Sequence, residues 1–183
     1  MNELPVICLQ TVACKVGVKT FDDNRSNGYQ LRIEDISDPC GMFVTFYTKG
    51  KLRGCIGTVR PVALNLANLH EYAHLAAFHD RRFEKIKAND LVDLSCSVTL
   101  LYDYEIVNNV KDVVLGIHGI CVTFTKNASA VFLPHVIEEN EWDHDGLLMQ
   151  LRKKANVPPH DKITKMEIFK GIQSDVIEYA SIT

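Results

Sequence analysis

The seven residues from 52 to 58, Leu-Arg-Gly-Cys-Ile-Gly-Thr, constrain the fold of this chain more than any other stretch. They follow an apolar run at residues 42–48 and a short turn formed by Lys49 and Gly50. Two strand-like runs joined by a glycine-containing turn indicate a β-hairpin. We therefore expect the 52–58 segment to form the second strand of that hairpin.

Alternation along this strand divides its side chains between two faces. Leu52 and Ile56 are expected to point into the core, whereas Arg53 and Cys55 share the opposite face, about 7 Å apart by the rise of a strand. A guanidinium beside a thiol can lower the pKa of the thiol and can bind an anion. We interpret this face as a candidate site, but the segment does not specify a reaction.

Two glycines flank the candidate site. Gly54 and Gly57 carry no side chain, so a ligand or another chain can come close to the backbone beside the thiol and the guanidinium. We include both glycines among the candidate binding residues.

Composition favours a folded protein and disfavours several function classes. With 183 residues, of which 46% are hydrophobic, the chain fits one domain with a real core. Its formal charge of −3 gives no basic field, so nucleic acid is not expected as a partner. The N-terminal segment resembles neither a signal peptide nor a membrane span, and the six cysteines form no C-x-x-C pair. We expect reduced thiols, no membrane partner and an intracellular location in the cytoplasm, the nucleus or both.

A helix with an apolar stripe is predicted from Leu66 to about Phe78, and it carries the pattern H-E-x-x-H at His70, Glu71 and His74. In zinc proteases this pattern supplies two ligands and a general base. The extended form of the pattern needs a glycine and a third histidine that this chain lacks at those positions. We interpret the pattern as a coincidence on a core helix, and we expect no stoichiometric zinc and no other cofactor.

Asp80, Arg82 and Phe83 follow this helix, and two interpretations of them stay open. In the first, Asp80 and Arg82 form an ion pair near the end of the helix while Phe83 packs inward. In the second, Arg82 faces the cleft beside Cys55 and binds an anion with its planar guanidinium.

His118 lies between Gly116 and Gly119, which give the backbone freedom beside a titratable ring. A site base or proton carrier needs such an arrangement. The alternative is a turn histidine that bonds only to the backbone.

The remaining pattern predicts alternating strands and helices. Helices are expected at residues 4–16 and 147–155, the second capped by Asp143 or Asp145, and Phe21 to Cys40 is expected to be an exposed loop. Strands are expected at 94–101, 120–125, 130–133, 165–169 and 174–179, with Pro134 ending the strand at 130–133.

Several of these motifs together resemble the AMMECR family. The 52–58 segment resembles the family's signature, and the resemblance covers roughly residues 43–157. Three further family elements follow in the family's order: D-x-R-F at Asp80, Arg82 and Phe83; G-x-H-G at Gly116, His118 and Gly119; and L-P-x-V with W-D at Leu133, Pro134, Val136, Trp142 and Asp143. The chain departs from the family at Asn156, which replaces a glycine, and at Asn140 and Glu141, which replace Q-G.

The resemblance implies a fold but no settled activity. It implies an α+β fold with antiparallel or mixed sheets and flanking helices in two unequal lobes, so that residues 1–183 form a single AMMECR-like domain. Prokaryotic relatives occur beside or fused to Memo-type and radical-SAM proteins, and eukaryotic relatives include nuclear proteins. Fold analogy alone does not assign a reaction.

Two hypotheses for function follow. The first is a cysteine-dependent enzyme of unassigned reaction, in which Cys55 is the nucleophile and Arg53 lowers its pKa. In it His118 or another nearby group is the base, and Asp80 and Arg82 help to bind an anionic substrate. The second is a non-catalytic binding or adaptor module that holds a small molecule, a peptide or a protein partner in the same groove. We favour a small-molecule or anion-binding cleft around Arg53 and Cys55, and the sequence leaves the oligomeric state open.

Overall fold

The computed structural model describes residues 1–18 and 39–182. The chain forms two compact units: the first comprises Met1–Leu100 and Ile172–Thr183, and the second comprises Leu101–Gly171. The loop expected between Phe21 and Cys40 lies outside the described residues except for its last two. The four α-helices of the described part are α1 (Glu3–Lys15), α2 (Leu66–Phe78), α3 (Pro134–Glu139) and α4 (His144–Ala155). Its strands are β1 (Cys40–Thr48), β2 (Lys51–Val62), β3 (Leu94–Val107), β4 (His118–Phe124), β5 (Ser129–Phe132), β6 (Ile163–Gln173) and β7 (Ile177–Glu178).

The expected α+β fold is confirmed. The β1–β2, β3–β7, β4–β5 and β4–β6 pairs are all antiparallel, and helices flank the sheet. None of the helices in the described residues is long and apolar enough to cross a membrane.

The first unit is built on the predicted hairpin. Strands β1 and β2 pair antiparallel around the turn at Lys49 and Gly50, both of which have positive φ. Strand β1 continues the sheet to β3, and β2 lies at its edge. Helices α1 and α2 contact each other, and α2 packs on both hairpin strands. The apolar stripe of α2 is buried, as its spacing predicted.

One part of the hairpin prediction is wrong. Leu52 does not point into the core, because 42% of it is exposed. The register shifts between Phe46, which faces Gly54, and Tyr47, which faces Leu52, so that Arg53 has no opposing residue. This β-bulge adds one residue to β2 and breaks the alternation of its side chains.

The second unit combines the hairpin β4–β5 with β6 beside β4. Asp143 caps α4 by accepting a hydrogen bond from the Gly146 backbone N–H at 2.8 Å. Asn156 ends the helix in the left-handed conformation with φ 54°, which asparagine tolerates better than most residues other than glycine. These features agree with the sequence prediction.

Outside the hairpin, one helix was not predicted and one strand prediction needs correction. Strand β5 ends before Pro134, as expected, and Pro134 then opens α3, because proline suits the first turn of a helix, where its missing N–H costs nothing. The strand expected at residues 174–179 shortens to β7, Ile177–Glu178. Ser174 lies outside β7. Its side-chain hydroxyl accepts a hydrogen bond from the Val98 backbone N–H at 3.0 Å, which a backbone carbonyl would accept in a regular strand.

Candidate functional site

The outer edge of β2 is covered by two side chains from the segment that follows α2. Asp80 Oδ2 accepts a hydrogen bond from the Cys55 backbone N–H at 2.9 Å, and Arg82 Nη2 donates to the Cys55 carbonyl at 3.2 Å. An edge strand leaves such N–H and C=O groups without a strand partner. At Cys55 the Asp80–Arg82 pair therefore takes the place of a neighbouring strand.

Asp80 is the buried centre of this arrangement, with only 7% of the residue exposed. Its Oδ1 accepts from the Arg82 backbone N–H at 3.1 Å and from Arg82 Nε at 3.0 Å, and its Oδ2 accepts from Arg82 Nη2 at 2.7 Å. The hydrogen bonds from the Arg82 side chain are the main cause that lowers the pKa of Asp80 to about 2. The Cys55 and Arg82 backbone N–H groups add to the effect, whereas burial opposes it.

The side chain of Arg82 makes its contacts within the protein. Its guanidinium contacts Asp80 and the Cys55 carbonyl and lies 5.3 Å from the centre of the Phe83 ring. The ion pair between Asp80 and Arg82 that the sequence suggested is therefore present, with 59% of the Arg82 side chain exposed. Recognition of an anion by Arg82 stays a prediction.

Arg53 holds the next part of the same loop. Its Nη1 donates to the Glu84 carbonyl, and its Nη2 donates to the Lys85 carbonyl at 3.2 Å and to Asp90 Oδ2 at 3.4 Å. Asp90 Oδ2 also accepts from the Lys87 backbone N–H, which closes the start of a 3-10 helix at Ala88–Asp93. The bulge thus directs Arg53 to the loop backbone.

The thiol of Cys55 is half-buried and protonated at neutral pH. Burial is the main cause that raises its pKa, and the nearby Asp80 carboxylate adds to the effect. The Thr45 hydroxyl, which donates to Sγ at 3.2 Å, and the Arg82 guanidinium lower the pKa but do not reverse the shift. The guanidinium that acts on this thiol is therefore Arg82, whereas the sequence suggested Arg53. A neutral thiol is a poor nucleophile.

The two glycines of β2 allow close contact within the protein. A Cβ on Gly54 would lie 2.2 Å from the Ala76 carbonyl oxygen of α2, and one on Gly57 would lie 2.1 Å from the Met42 carbonyl oxygen of β1. Real Cβ contacts are never this short. Both glycines are needed for packing, and their backbone is approached by α2 and β1.

A wide-open surface depression of about 450 Å³, here called the cavity, lies on the loop that Arg53, Asp80 and Arg82 hold. Sequence reasoning did not find it, because it depends on the path of the loop rather than on a motif. We call this segment the 78–85 loop. The cavity is lined by Phe78, His79, Asp80, Arg81, Phe83, Glu84 and Lys85.

Two histidines meet at the end of α2. The Nε2 atoms of His74 and His79 lie 3.3 Å apart, and burial is the main cause that lowers the pKa of His74. The positive charges of Lys15 and Lys85 lower that pKa further. Within residues 1–18 and 39–182, no group of three or more histidine, cysteine, aspartate or glutamate side chains could hold a metal ion.

His118 lies in the second unit. It is the first residue of β4, where it pairs with Lys170, and its Nδ1 accepts from the Val114 backbone N–H at 3.2 Å. This contact to the backbone was one of the two interpretations of His118. Its role as a base toward Cys55 stays a prediction.

Comparison with known proteins places the chain among relatives of unassigned activity. An uncharacterised protein of Schizosaccharomyces pombe is 40% identical over 121 residues, which cover 62% of each protein. An uncharacterised protein of Arabidopsis thaliana is 37% identical over 57% of this chain and 51% of its own length. A protein of Methanothermobacter thermautotrophicus is 36% identical over 86% of this chain and 88% of its own length. The matched part thus spans less than two thirds of both eukaryotic relatives.

The fold also has a counterpart among solved structures. The crystal structure of an uncharacterised protein from Pyrococcus horikoshii superposes with a TM-score of 0.74 over 96% of this chain and 94% of that chain, at 21% identity. At this identity the likeness shows the fold alone. A family model described as AMMECR1 matches residues 6–173, which is nearly the whole chain. The chain therefore belongs to the AMMECR1 family.

Proposed function

We propose that this protein binds a small molecule in the cavity of the 78–85 loop, and that the ligand carries an anionic group and an apolar part. The cavity itself is the observation that carries the proposal. Its volume of about 450 Å³ lies within the range of small-molecule sites, which is about 300–1,000 Å³. It opens on the segment that the 52–58 strand holds in place.

The charges around the cavity favour an anion. Arg81 and Lys85 line it, and Arg82 lies beside it, whereas the nearby carboxylates are Asp80 and Glu84. The Asp80 charge is compensated by Arg82 at 2.7 Å. The three cations outnumber the two carboxylates, so the surroundings of the cavity have a net positive charge. The exposed side chains of Arg81 and Lys85 can turn toward a ligand.

The aromatic rings of the cavity favour an apolar group on the same ligand. Phe78 and Phe83 both line it, one from the end of α2 and the other from the loop. A ring between them would bury apolar surface while the anionic group meets the cations. Such a mixture of apolar walls and a few polar groups is typical of small-molecule sites.

The loop is held in shape before any ligand arrives. Asp80 and Arg82 tie it to Cys55, and Arg53 ties it to the Glu84 and Lys85 carbonyls. A loop that is already ordered loses less conformational entropy on binding, which favours affinity. In this proposal the 52–58 segment supports the site and does not carry out a reaction.

The thiol of Cys55 supports binding over catalysis. Its raised pKa leaves little thiolate at neutral pH, and the neighbouring guanidinium groups already contact carboxylate and carbonyl oxygens. A nucleophilic cysteine needs the opposite environment. Cys55 then acts as a small, half-buried packing residue that accepts a hydrogen bond from Thr45.

Isothermal titration calorimetry with phenyl phosphate tests the proposal, because this probe joins an aromatic ring to an anionic group. The wild-type protein should bind it, and the Arg81→Ala, Lys85→Ala double variant should bind about tenfold more weakly, since two cations are lost. Cys55→Ser should bind like wild type. Lys51→Ala is the control, because Lys51 is an exposed lysine of the same unit that does not line the cavity.

Three outcomes would count against the proposal. The first is no heat of binding with the wild-type protein, and the second is equal affinity for the double variant and the Lys51 control. The third is a loss of binding with Cys55→Ser alone, which would favour the groove at the thiol.

A further inference from the structure

His74 and His79 form a pair that the proposed function does not use. His74 lies in the last turns of α2, and His79 is the residue that follows its C-terminus. Their Nε2 atoms are 3.3 Å apart, and the ring centroids are 5.1 Å apart with an angle of 50° between the planes.

The spacing of the two rings fits a shared metal ion. At the usual zinc–nitrogen distance of about 2.0–2.1 Å, two imidazoles of a tetrahedral site have nitrogens about 3.3 Å apart and ring centroids about 5.2 Å apart. A straight N–H···N hydrogen bond of the same length would set the centroids at about 5.6 Å. The observed centroid separation of 5.1 Å is closer to the value for two imidazoles that share a metal ion than to the value for a straight hydrogen bond.

The charges around the two histidines limit their affinity for a cation. The last carbonyl groups of α2 place partial negative charge near the pair, which favours a cation. The positive charges of Lys15 and Lys85 also act on His74 and disfavour a bound cation. The Nδ1 atom of His74 is buried and has no hydrogen-bond partner, so no second group orients this ring.

We propose that His74 and His79 form a two-imidazole site for a divalent transition metal such as Zn²⁺, with water in the remaining positions. Zinc, copper and nickel bind well to imidazole nitrogen, whereas calcium and magnesium prefer oxygen ligands. The site differs from the H-E-x-x-H pattern, because it uses His79 in place of His70. It also departs from the expectation of no stoichiometric zinc, which rested on the missing third ligand of the extended pattern and on the interpretation of H-E-x-x-H as a coincidence.

This proposal stands independently of the proposed function, and metal binding without any other ligand tests it. Zinc chloride is titrated into the protein against a chromophoric chelator, with every variant made in a Cys14→Ser background because exposed Cys14 can also bind zinc. His74→Gln and His79→Gln should each weaken zinc binding at least tenfold. His70→Gln is the matched control on the same helix and should change the affinity less than twofold.

The site is refuted if the parent protein binds no zinc, if His79→Gln binds as the parent does, or if His70→Gln loses as much affinity as His74→Gln. The last result would restore the H-E-x-x-H interpretation. A second measurement does not depend on the folding of the variants. In proton NMR spectra of the parent protein, zinc should shift the ring resonances of His74 and His79 first, and early shifts confined to other histidines would contradict the site.

Discussion

Asp80 joins β2 to the loop after α2 through a single buried carboxylate. Its carboxylate binds the Cys55 backbone N–H of β2 and three N–H groups of Arg82. A buried carboxylate is costly unless its oxygens are satisfied, and here four hydrogen bonds satisfy them. The charge of Asp80 thus fixes where the 78–85 loop begins.

The lowered pKa of Asp80 predicts a specific pH dependence of stability. The pKa is about 2 in the folded protein and 3.8 ordinarily, so the stabilisation is complete above about pH 4 and is lost as the pH falls toward 2. A shift of this size corresponds to about 2 kcal/mol. Asp80→Asn should lower the free energy of unfolding by about that amount at pH 7 and by almost nothing at pH 2.

Urea unfolding followed by circular dichroism at both pH values measures this difference. Asp145→Asn serves as the control, because Asp145 is an exposed carboxylate in the first turn of α4. It should change the free energy of unfolding by less than about 0.5 kcal/mol. A gap between wild type and Asp80→Asn that stays the same at pH 2 would contradict the role of the Asp80 charge.

The raised pKa of Cys55 predicts slow alkylation. At pH 7 iodoacetamide should label exposed Cys14 before Cys55, and labelling of Cys55 should increase steeply as the pH is raised. Thr45→Val removes the hydroxyl that lowers the pKa of Cys55, so it should slow the labelling of Cys55 further. Peptide mass spectrometry measures both rates. Faster labelling of Cys55 than of Cys14 at pH 7 would revive the nucleophile hypothesis.

At the scale of elements, β2 is shaped by contacts on both sides. The bulge at Arg53 turns its guanidinium toward the loop, and Gly54 lets the backbone of α2 come close. Local rules could predict the hairpin and α2, because alternation and helical spacing are written in consecutive residues. The bulge could not be predicted, because it depends on how β1 pairs with β2.

Close packing at Gly54 predicts that a single methyl group is harmful. In Gly54→Ala the new Cβ would lie 2.2 Å from the Ala76 carbonyl oxygen, so α2 or β2 must move. We expect a loss of about 1–3 kcal/mol in the free energy of unfolding, as in other overpacked cores. Gly171→Ala is the matched control, since its Cβ would meet side-chain atoms no closer than 3.4 Å. Equal stability of the two variants in urea would show that the approach of α2 to β2 is looser than described.

The sequence anticipated the members of the site better than their arrangement. Asp80 and Arg82 are two residues apart, so their ion pair was among the interpretations open from the sequence. Their contact with the Cys55 backbone joins residues 25 and 27 positions apart and follows only from the fold. The cavity escaped detection for the same reason, because its lining residues match no binding motif.

At the scale of the whole molecule, the two units carry different parts of the family pattern. The 52–58 segment and the Asp80–Phe83 element lie in the first unit, where they contact each other. His118, Trp142 and Asp143 lie in the second unit. There Trp142 packs edge-on against Phe132 at 4.8 Å between ring centroids, and Asp143 caps α4. Several of the resembling motifs therefore have clear structural roles.

The central claim is that the 52–58 segment supports a ligand-binding loop, and an NMR titration of ¹⁵N-labelled protein with phenyl phosphate tests it most directly. The account predicts that the amide resonances of Phe78, His79, Arg81, Phe83 and Lys85 shift with increasing ligand and that the shifts saturate together. Shifts that appear instead around Thr45 and Cys55 while the 78–85 loop stays unchanged, or no shifts at all, would contradict it.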